Sequence, residues 1–304
     1  MPLYPYSQTP SPQEKTVLQP SDYREKLLSS VETLPPLPTV LNQLLKLMND
    51  ANSSAGQISA LIETDGVLSG NVLRCVNSAY YGLQSRVSSI RHAVTLLGFE
   101  TLRNLALAFS MRRMLVKPKA SSRKLSAQYS QHALGCAMMT QFLAHYAKSE
   151  DVDAAFAAGL FHDVGKLLII NTLPEMFPPL IEHWETSGAD FEVSEQALLG
   201  VSHSQLSSVV LEKWKLSDVI QAAAAYHHDP GACPSVGDQD MTLAHLVHAA
   251  DLYVRFYGLE IVSSAKRPPS QPDQAFERIG LIDGLPELVE RFQAEFKSIQ
   301  GVFQ

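Results

Sequence analysis

His162 and Asp163 stand side by side in the stretch GLFHDVGKLL, with His132 upstream and His203, His227, His228 and Asp251 downstream. An adjacent histidine and aspartate offer one nitrogen and one oxygen donor to a common point. Imidazole together with carboxylate suits divalent Fe, Mn, Zn, Ni or Co, and the residue types alone do not choose among them. Gly165 and Lys166 follow at once: the glycine permits a close approach of backbone, and the lysine brings a cation to an anionic substrate. The combination points to a metal-centred phosphoester site. The alternative for any single histidine is a hydrogen-bonded core residue, the role expected of His92, His145, His183, His245 and His248. Lys166 can equally be a solvated lysine at a helix end and Gly165 a C-cap. His227 and His228 can be imidazoles favoured by the dipole at a helix C-terminus.

These candidates lie on five separate segments, so only tertiary structure can bring them together. The segments read as helices. Apolar residues recur at steps of three and four, as in Leu27, Leu28 and Val31 and then Val40, Leu41, Leu44, Leu45 and Met48, and no stretch sustains strand alternation. Pro35, Pro36 and Pro38 separate the first helix from the second, and Ser54 is placed to cap a third running through Glu63. Further helices are expected around 68–79, 90–97, 100–115, 126–147, 153–163, 176–187, 192–200, 203–214, 217–228, 241–257 and 286–299. His132 then sits among alanines and glycine that let helices come close, and His162–Asp163 lies near a helix end. His203 falls in a first turn, His227–His228 closes a helix, and Asp251 shares a face with His248.

Composition narrows the classes. A net charge of −7 with a pI near 5.8 argues against non-specific binding to a nucleic-acid backbone, which needs a basic face. Cys75, Cys136 and Cys233 are odd in number and widely spaced, giving neither a disulfide framework nor a thiolate zinc pattern; a reducing cytoplasm is expected. No apolar signal region opens the chain and no run of roughly 18 apolar residues occurs, so no membrane span is expected. Residues 1–20, with five prolines, read as a flexible leader. The expected organisation is an N-terminal helical part over 21–116, a break within Lys117–Ser126, the His/Asp half over 126–258, and a helical extension over 272–304.

Several stretches carry a family resemblance. LPPLPTVLNQLLKLM, LIETDGVLSGNVLRCVNSAYYG ending in Asn77-Ser78-Ala79, and SSIRHAVTLLGFETLRNLAL with Leu97-Gly98 make the region from about Ser30 to Asp251 resemble the HDOD domain, a signalling relative of the HD superfamily of metal-dependent phosphohydrolases. The fold implied is all-α, an N-terminal helical bundle packed on a C-terminal HD-type helical domain. Gly66 stands where the family commonly has proline, which loosens a helix entry. Carried over position by position, the resemblance implies His132, His162, Asp163, His203, His227 or His228, and Asp251 as ligands of one or two divalent transition-metal ions, with Asp163 the bridge if two bind. For metal-assisted hydrolysis the expected catalytic residues are Lys166, which offsets developing charge on the phosphate, and Asp163, which orients the nucleophile. The Gly-Tyr-Pro signature of the cyclic-dinucleotide hydrolases is missing, since His228 is followed by Asp229-Pro-Gly-Ala-Cys-Pro.

The function implied is bacterial signal transduction with phosphohydrolase chemistry on an unidentified substrate. Two alternatives stand beside it: a non-catalytic protein-interaction module with a structural or sensory metal, and a nucleotide pocket without turnover. The expected partner is a signalling protein or a phosphorylated small molecule or nucleotide, with input from a separate molecule. Arg74, Asn77, Tyr80 and Tyr81 offer polar and aromatic groups for a contact surface, although a packed helix with exposed ends is the first expectation.

Overall fold

A computed structural model describes residues 19–48, 53–78, 81–114, 122–234, 241–281 and 284–303. The expected leader falls outside them up to residue 18, as do residues 117–121 of the expected break at Lys117–Ser126. Among the described residues sixteen α-helices follow one another and there is no strand. The first six are α1 (Pro20–Thr33), α2 (Thr39–Met48), α3 (Ala55–Glu63), α4 (Gly66–Val76), α5 (Ile90–Leu97) and α6 (Phe99–Met114). The middle of the chain forms α7 (Arg123–Tyr146), α8 (Val152–Phe161), α9 (Val164–Thr172), α10 (Phe177–Ser187), α11 (Phe191–Leu199), α12 (His203–Lys213) and α13 (Asp218–Tyr226). The chain ends with α14 (Leu243–Phe256), α15 (Asp273–Arg278) and α16 (Leu285–Phe303).

Helices α2 to α6 pack on one another as the N-terminal bundle. Local chemistry starts its members where expected: the Ser54 hydroxyl accepts from Gln57 N, and the Ser89 hydroxyl accepts from His92 N, each satisfying an orphan amide of a first turn. Gly66 does open α4 without proline, but the Asp65 carboxylate accepts from the amides of Val67 and Leu68 and holds the entry. The residues read as a contact surface divide. Asn77 is an internal staple whose amide donates to Leu73 O and Val87 O while its oxygen accepts from Val87 N. Tyr81 packs half-buried against the core, and Tyr80 lies outside the described residues.

The second half is built around α7. Its inward residues include Ala133, Gly135, Cys136, Ala137 and Ala144, all buried, so α8 and α14 can press against its backbone. A Cβ on Gly159 of α8 would lie 2.5 Å from Cys136 O, so that crossing requires glycine. Helices α9, α12, α13 and α14 complete the ring. Helix α1 packs on α9, α11 and α12, although it precedes the N-terminal bundle in sequence. Lys213 Nζ donates to Val31 O at 2.8 Å and Trp214 Nε1 to Pro35 O at 3.3 Å. On the other side α16 lies against α7 and α4, burying Leu288, Phe292, Phe296 and Ile299.

Two helices were not anticipated. The expected ending of α8 at residue 163 is broken two residues early, and Val164 to Thr172 form α9; Gly165 is therefore in the first turn of a helix and is not a C-cap. The short α15 had no sustained apolar period to reveal it.

Candidate metal centre

Each candidate is delivered by a helix or helix end. His132 lies on α7, and His162 and Asp163 form the corner between α8 and α9. His203 is the first residue of α12, where Ser202 makes a capping box with Gln205. His227 is the C-cap of α13 with His228 beyond it, and Asp251 projects from α14. The corner is driven against α12: a Cβ on Gly165 would overlap His203 O, and Gly165 N donates to Ser207 Oγ at 2.9 Å. The close backbone approach expected of this glycine is thus made, and its partner is α12.

The side chains converge on Asp163, which is fully buried. Asp163 Oδ2 lies 3.4 Å from His132 Nε2 and 3.5 Å from His162 Nε2, and Oδ1 lies 3.2 Å from His203 Nε2 and 3.6 Å from His227 Nε2. Asp251 Oδ1 lies 3.3 Å from His132 Nε2, and His228 Nε2 lies 2.8 Å from His203 Nε2. Lys166 Nζ donates to Asp163 Oδ2 at 2.7 Å. All seven positions of the sequence-derived ligand set therefore meet in one place, with Lys166 at its edge.

The outer nitrogens decide what the inner ones can do. His132 Nδ1 donates to Leu259 O at 3.0 Å, His162 Nδ1 to Gly159 O at 2.8 Å and His227 Nδ1 to Ala224 O at 2.8 Å. A carbonyl only accepts, so Nδ1 carries the proton and Nε2 turns toward the centre. Glu195 serves His203 in the same way, at 2.5 Å from Nδ1, and also accepts from its backbone amide at 2.7 Å. His248 Nδ1 donates to His227 O at 2.7 Å. Such outer partners are what orient metal-ligating imidazoles.

Charge is managed by burial and neighbours together. Burial overrides the nearby carboxylates at His162 and holds its pKa down to about 3, so the ring is a neutral donor. Burial likewise pushes His228 well down, helped by His227 and His203. For Asp163 burial acts upward, but Lys166, His162 and His203 outweigh it and hold the carboxyl well below its usual range. Burial also acts against charge on Lys166, and Asp163 reverses the outcome, so the ammonium persists. His132 is the exception: burial disfavours its charged form, yet Cys136, Asp163 and Asp251 draw its pKa well up. The field at that point favours a cation.

A divalent ion fits these residues. His162 Nε2, His227 Nε2, Asp163 Oδ1 and Asp251 Oδ1 are buried without a hydrogen-bond partner, which costs roughly 1–3 kcal/mol for a polar group left unsatisfied. A neutral Nε2 lone pair opposed to a carboxylate oxygen at 3.5 Å is repulsive unless positive charge lies between them. His162, Asp163 and His227 form one cluster of suitable spacing, His203, His227 and His228 a second, and His132, Cys136, His162 and Asp251 a third. Donors of this kind suit borderline first-row ions.

Above the centre opens a cavity of about 620 Å³, whose walls include His132, Lys166, His228, Asp251, Arg255 and Arg278. Arg267 also faces it but is engaged, donating to Trp184 O and Ala189 O. Asp190, Asp229 and Glu260 put negative charge on the same rim. His248, expected to be an ordinary core histidine, borders this cavity too, whereas His145 pairs with Glu100, His183 with Ser194 and His245 with Thr242. Glu195 and Cys136 were not singled out in the sequence. Nothing distinguished Glu195 from a solvated helical glutamate eight residues before His203, although the four-residue step from His132 to Cys136 was visible.

An all-helical chain with a His/Asp cluster at the meeting of α7, α8, α9, α12, α13 and α14 defines an HD-like class of protein. The HDOD domain model matches residues 34–230, and the chain belongs to the HDOD domain family. It is similar in fold to an HDOD domain protein with unknown function from Geobacter sulfurreducens, at a TM-score of 0.74 and 22% identity over 92% of this chain and 96% of that one. It is also similar to a candidate phosphohydrolase from Shewanella amazonensis SB2B, at a TM-score of 0.70 and 25% identity over 92% of this chain and 98% of that one. An uncharacterized protein of Treponema pallidum (strain Nichols) is 25% identical over 229 residues, covering 74% of this chain and 43% of that relative. This chain therefore spans less than half of that protein. Among the described residues no helix is long and apolar enough to cross a membrane.

Proposed function

We propose that the protein is a bacterial signalling HDOD protein whose His/Asp centre binds one or two divalent transition-metal ions and hydrolyses a phosphoester. The observation that carries this reading is the set of buried, partnerless donor atoms on His162, His227, Asp163 and Asp251 lying under a cavity lined by Lys166, Arg255 and Arg278. His132, His162, Asp163 and Asp251 would hold one ion, and His203, His227 and His228, sharing Asp163, a second. When bound, such ions supply Lewis acidity and bring the pKa of a coordinated water toward neutrality.

The chain's own groups do the rest. Lys166 and Arg255 offset charge on the phosphoryl oxygens, and Asp163 orients the attacking water through its carboxylate. Glu195 keeps His203 in the tautomer that presents Nε2. The similarity to the Shewanella protein supports the reaction class, while the cavity size suits a small phosphorylated molecule or nucleotide.

A second reading is favoured by a different feature: His162, Asp163 and His227 are fully buried and lie beneath the cavity wall. On that reading the site binds a phosphorylated effector without turnover. Metal content of freshly purified protein, followed by hydrolysis assays on phosphodiesters and nucleotides with added Mn2+ or Fe2+, separates the two. Turnover that is lost in folded His162→Ala and Asp163→Ala supports the enzyme. Bound nucleotide without turnover would leave the effector site, and a folded protein that takes up no metal after reconstitution removes the enzyme.

A further inference from the structure

We infer that Cys136 is a thiolate ligand of the metal centre, which makes the ion there a borderline-soft one such as Zn2+, Fe2+ or Co2+ and disfavours Mn2+ and Mg2+. The inference rests on the reading of His132, His162 and Asp251 as metal ligands. Cys136 follows His132 by four residues on α7, so both side chains leave the same face of the helix one turn apart. Both are fully buried or nearly so. Cys136 Sγ lies 3.5 Å from His132 Nε2, and Sγ, His132, His162 and Asp251 each offer a donor atom within 4.8 Å of the others.

Two of the donor-to-donor spacings match edges of a metal's coordination shell. Bonds of about 2.3 Å to sulfur and about 2.0–2.1 Å to nitrogen or oxygen, at tetrahedral angles, give edges of about 3.5 Å between sulfur and nitrogen and about 3.3 Å between nitrogen and oxygen. The molecule shows 3.5 Å from Cys136 Sγ to His132 Nε2 and 3.3 Å from His132 Nε2 to Asp251 Oδ1. One further donor joins them: His162 Nε2, like Asp251 Oδ1, is buried and partnerless.

The competing role for the sulfur is a thiol donating to His132 Nε2. That lone pair is the one His132 gives to a metal, and its other nitrogen is committed to Leu259 O. With the ion bound the thiol loses its acceptor while facing the ion itself. Coordination then replaces the S–H bond with a sulfur–metal bond, and the proton leaves to solvent. Thiolate ligation selects against hard, oxygen-preferring ions.

The test uses the full chain, stripped with chelator and reloaded with Co2+. Wild-type protein is expected to show visible ligand-field bands together with a near-ultraviolet thiolate-to-cobalt charge-transfer band. Cys136→Ser should keep the visible bands and lose the near-ultraviolet one, and Cys233→Ser should keep both. Visible bands without the charge-transfer band in the wild type, or a band that persists in Cys136→Ser, overturns the thiolate ligand and leaves the metal centre standing. Absence of all cobalt bands overturns the thiolate ligand and the metal centre together. Should Cys136→Ser fail to fold, X-ray absorption of the zinc-loaded wild type decides: a sulfur neighbour at about 2.3 Å supports the inference, and a shell of nitrogen and oxygen alone refutes it.

Discussion

His203 donates its Nδ1–H to Glu195, and that one bond sets what the opposite nitrogen can do. Glu195 is buried on α11 and accepts from both the ring and the amide of His203, so it fixes the residue's tautomer and place together. Replacing Glu195 with Ala is expected to weaken divalent-ion affinity by about 10–100-fold, as read by competition against a chromophoric chelator; an unchanged affinity would show that the bond is merely structural. The pKa of His162 makes a second prediction at this scale, for chelator-stripped protein. Its folded value is about 3 against an ordinary 6.5, so on acidification the unfolded chain takes up a proton that the native state refuses. This contribution to stability is complete above about pH 6.5 and is lost as the pH falls toward 3. Asp163 and Asp251, both held low, add to the loss at the acid end. His132, held high, contributes oppositely, giving stability below 6.5 that is lost as the pH rises through its folded value. Melting temperatures of the stripped protein should fall between pH 6.5 and 4, and a flat profile there would contradict this burial of a neutral His162.

At the scale of elements, the corner between α8 and α9 brings His162 and Asp163 into one site by ending one helix and starting another around them. The corner can lie against α12 because Gly165 has no side chain. Gly165→Ala introduces a methyl group where His203 O already stands, so α9 and α12 must separate. A destabilisation of about 1–3 kcal/mol is expected, seen as a lower urea midpoint at an unchanged slope, with weaker metal binding because His203 moves with α12. A neutral result would mean that the two helices are not pressed together. Sequence periodicity read most helices to within a few residues, and 90–97 coincides with α5. It missed α9 because the glycine after His162–Asp163 carries the local signature of a helix stop, and only the contact with α12 reveals why glycine stands there.

Over the whole molecule, six helices from one half supply the centre, and that half is also tied to elements from both ends of the described chain. α1 docks on α9, α11 and α12, and α16 on α7 and α4. A ligand that binds only this assembled arrangement must stabilise the fold, by about 2.7 kcal/mol at a free concentration of about 100 Kd. Saturating Zn2+ or Co2+ is therefore expected to raise the melting temperature of the stripped protein by several degrees, and chelator to reverse the rise. Asp163→Ala should respond far less. A rise of equal size in that variant would place the ion elsewhere on the molecule.

The sequence by itself determined the helical class, the family stretches and the identities of His132, His162, Asp163, His203, His227, His228 and Asp251, because residue type, local period and short motifs are written in neighbouring positions. The tertiary structure decided that Asp163 is the common point, that the outer nitrogens of His132, His162, His203 and His227 each have a fixed acceptor, and that Glu195 and Cys136 stand beside these side chains. Those facts depend on which helix faces meet across long stretches of chain. A glutamate on α11 carries no local mark of the imidazole it will touch, and the helical step from His132 to Cys136 shows that pair without the donors that other helices bring to it.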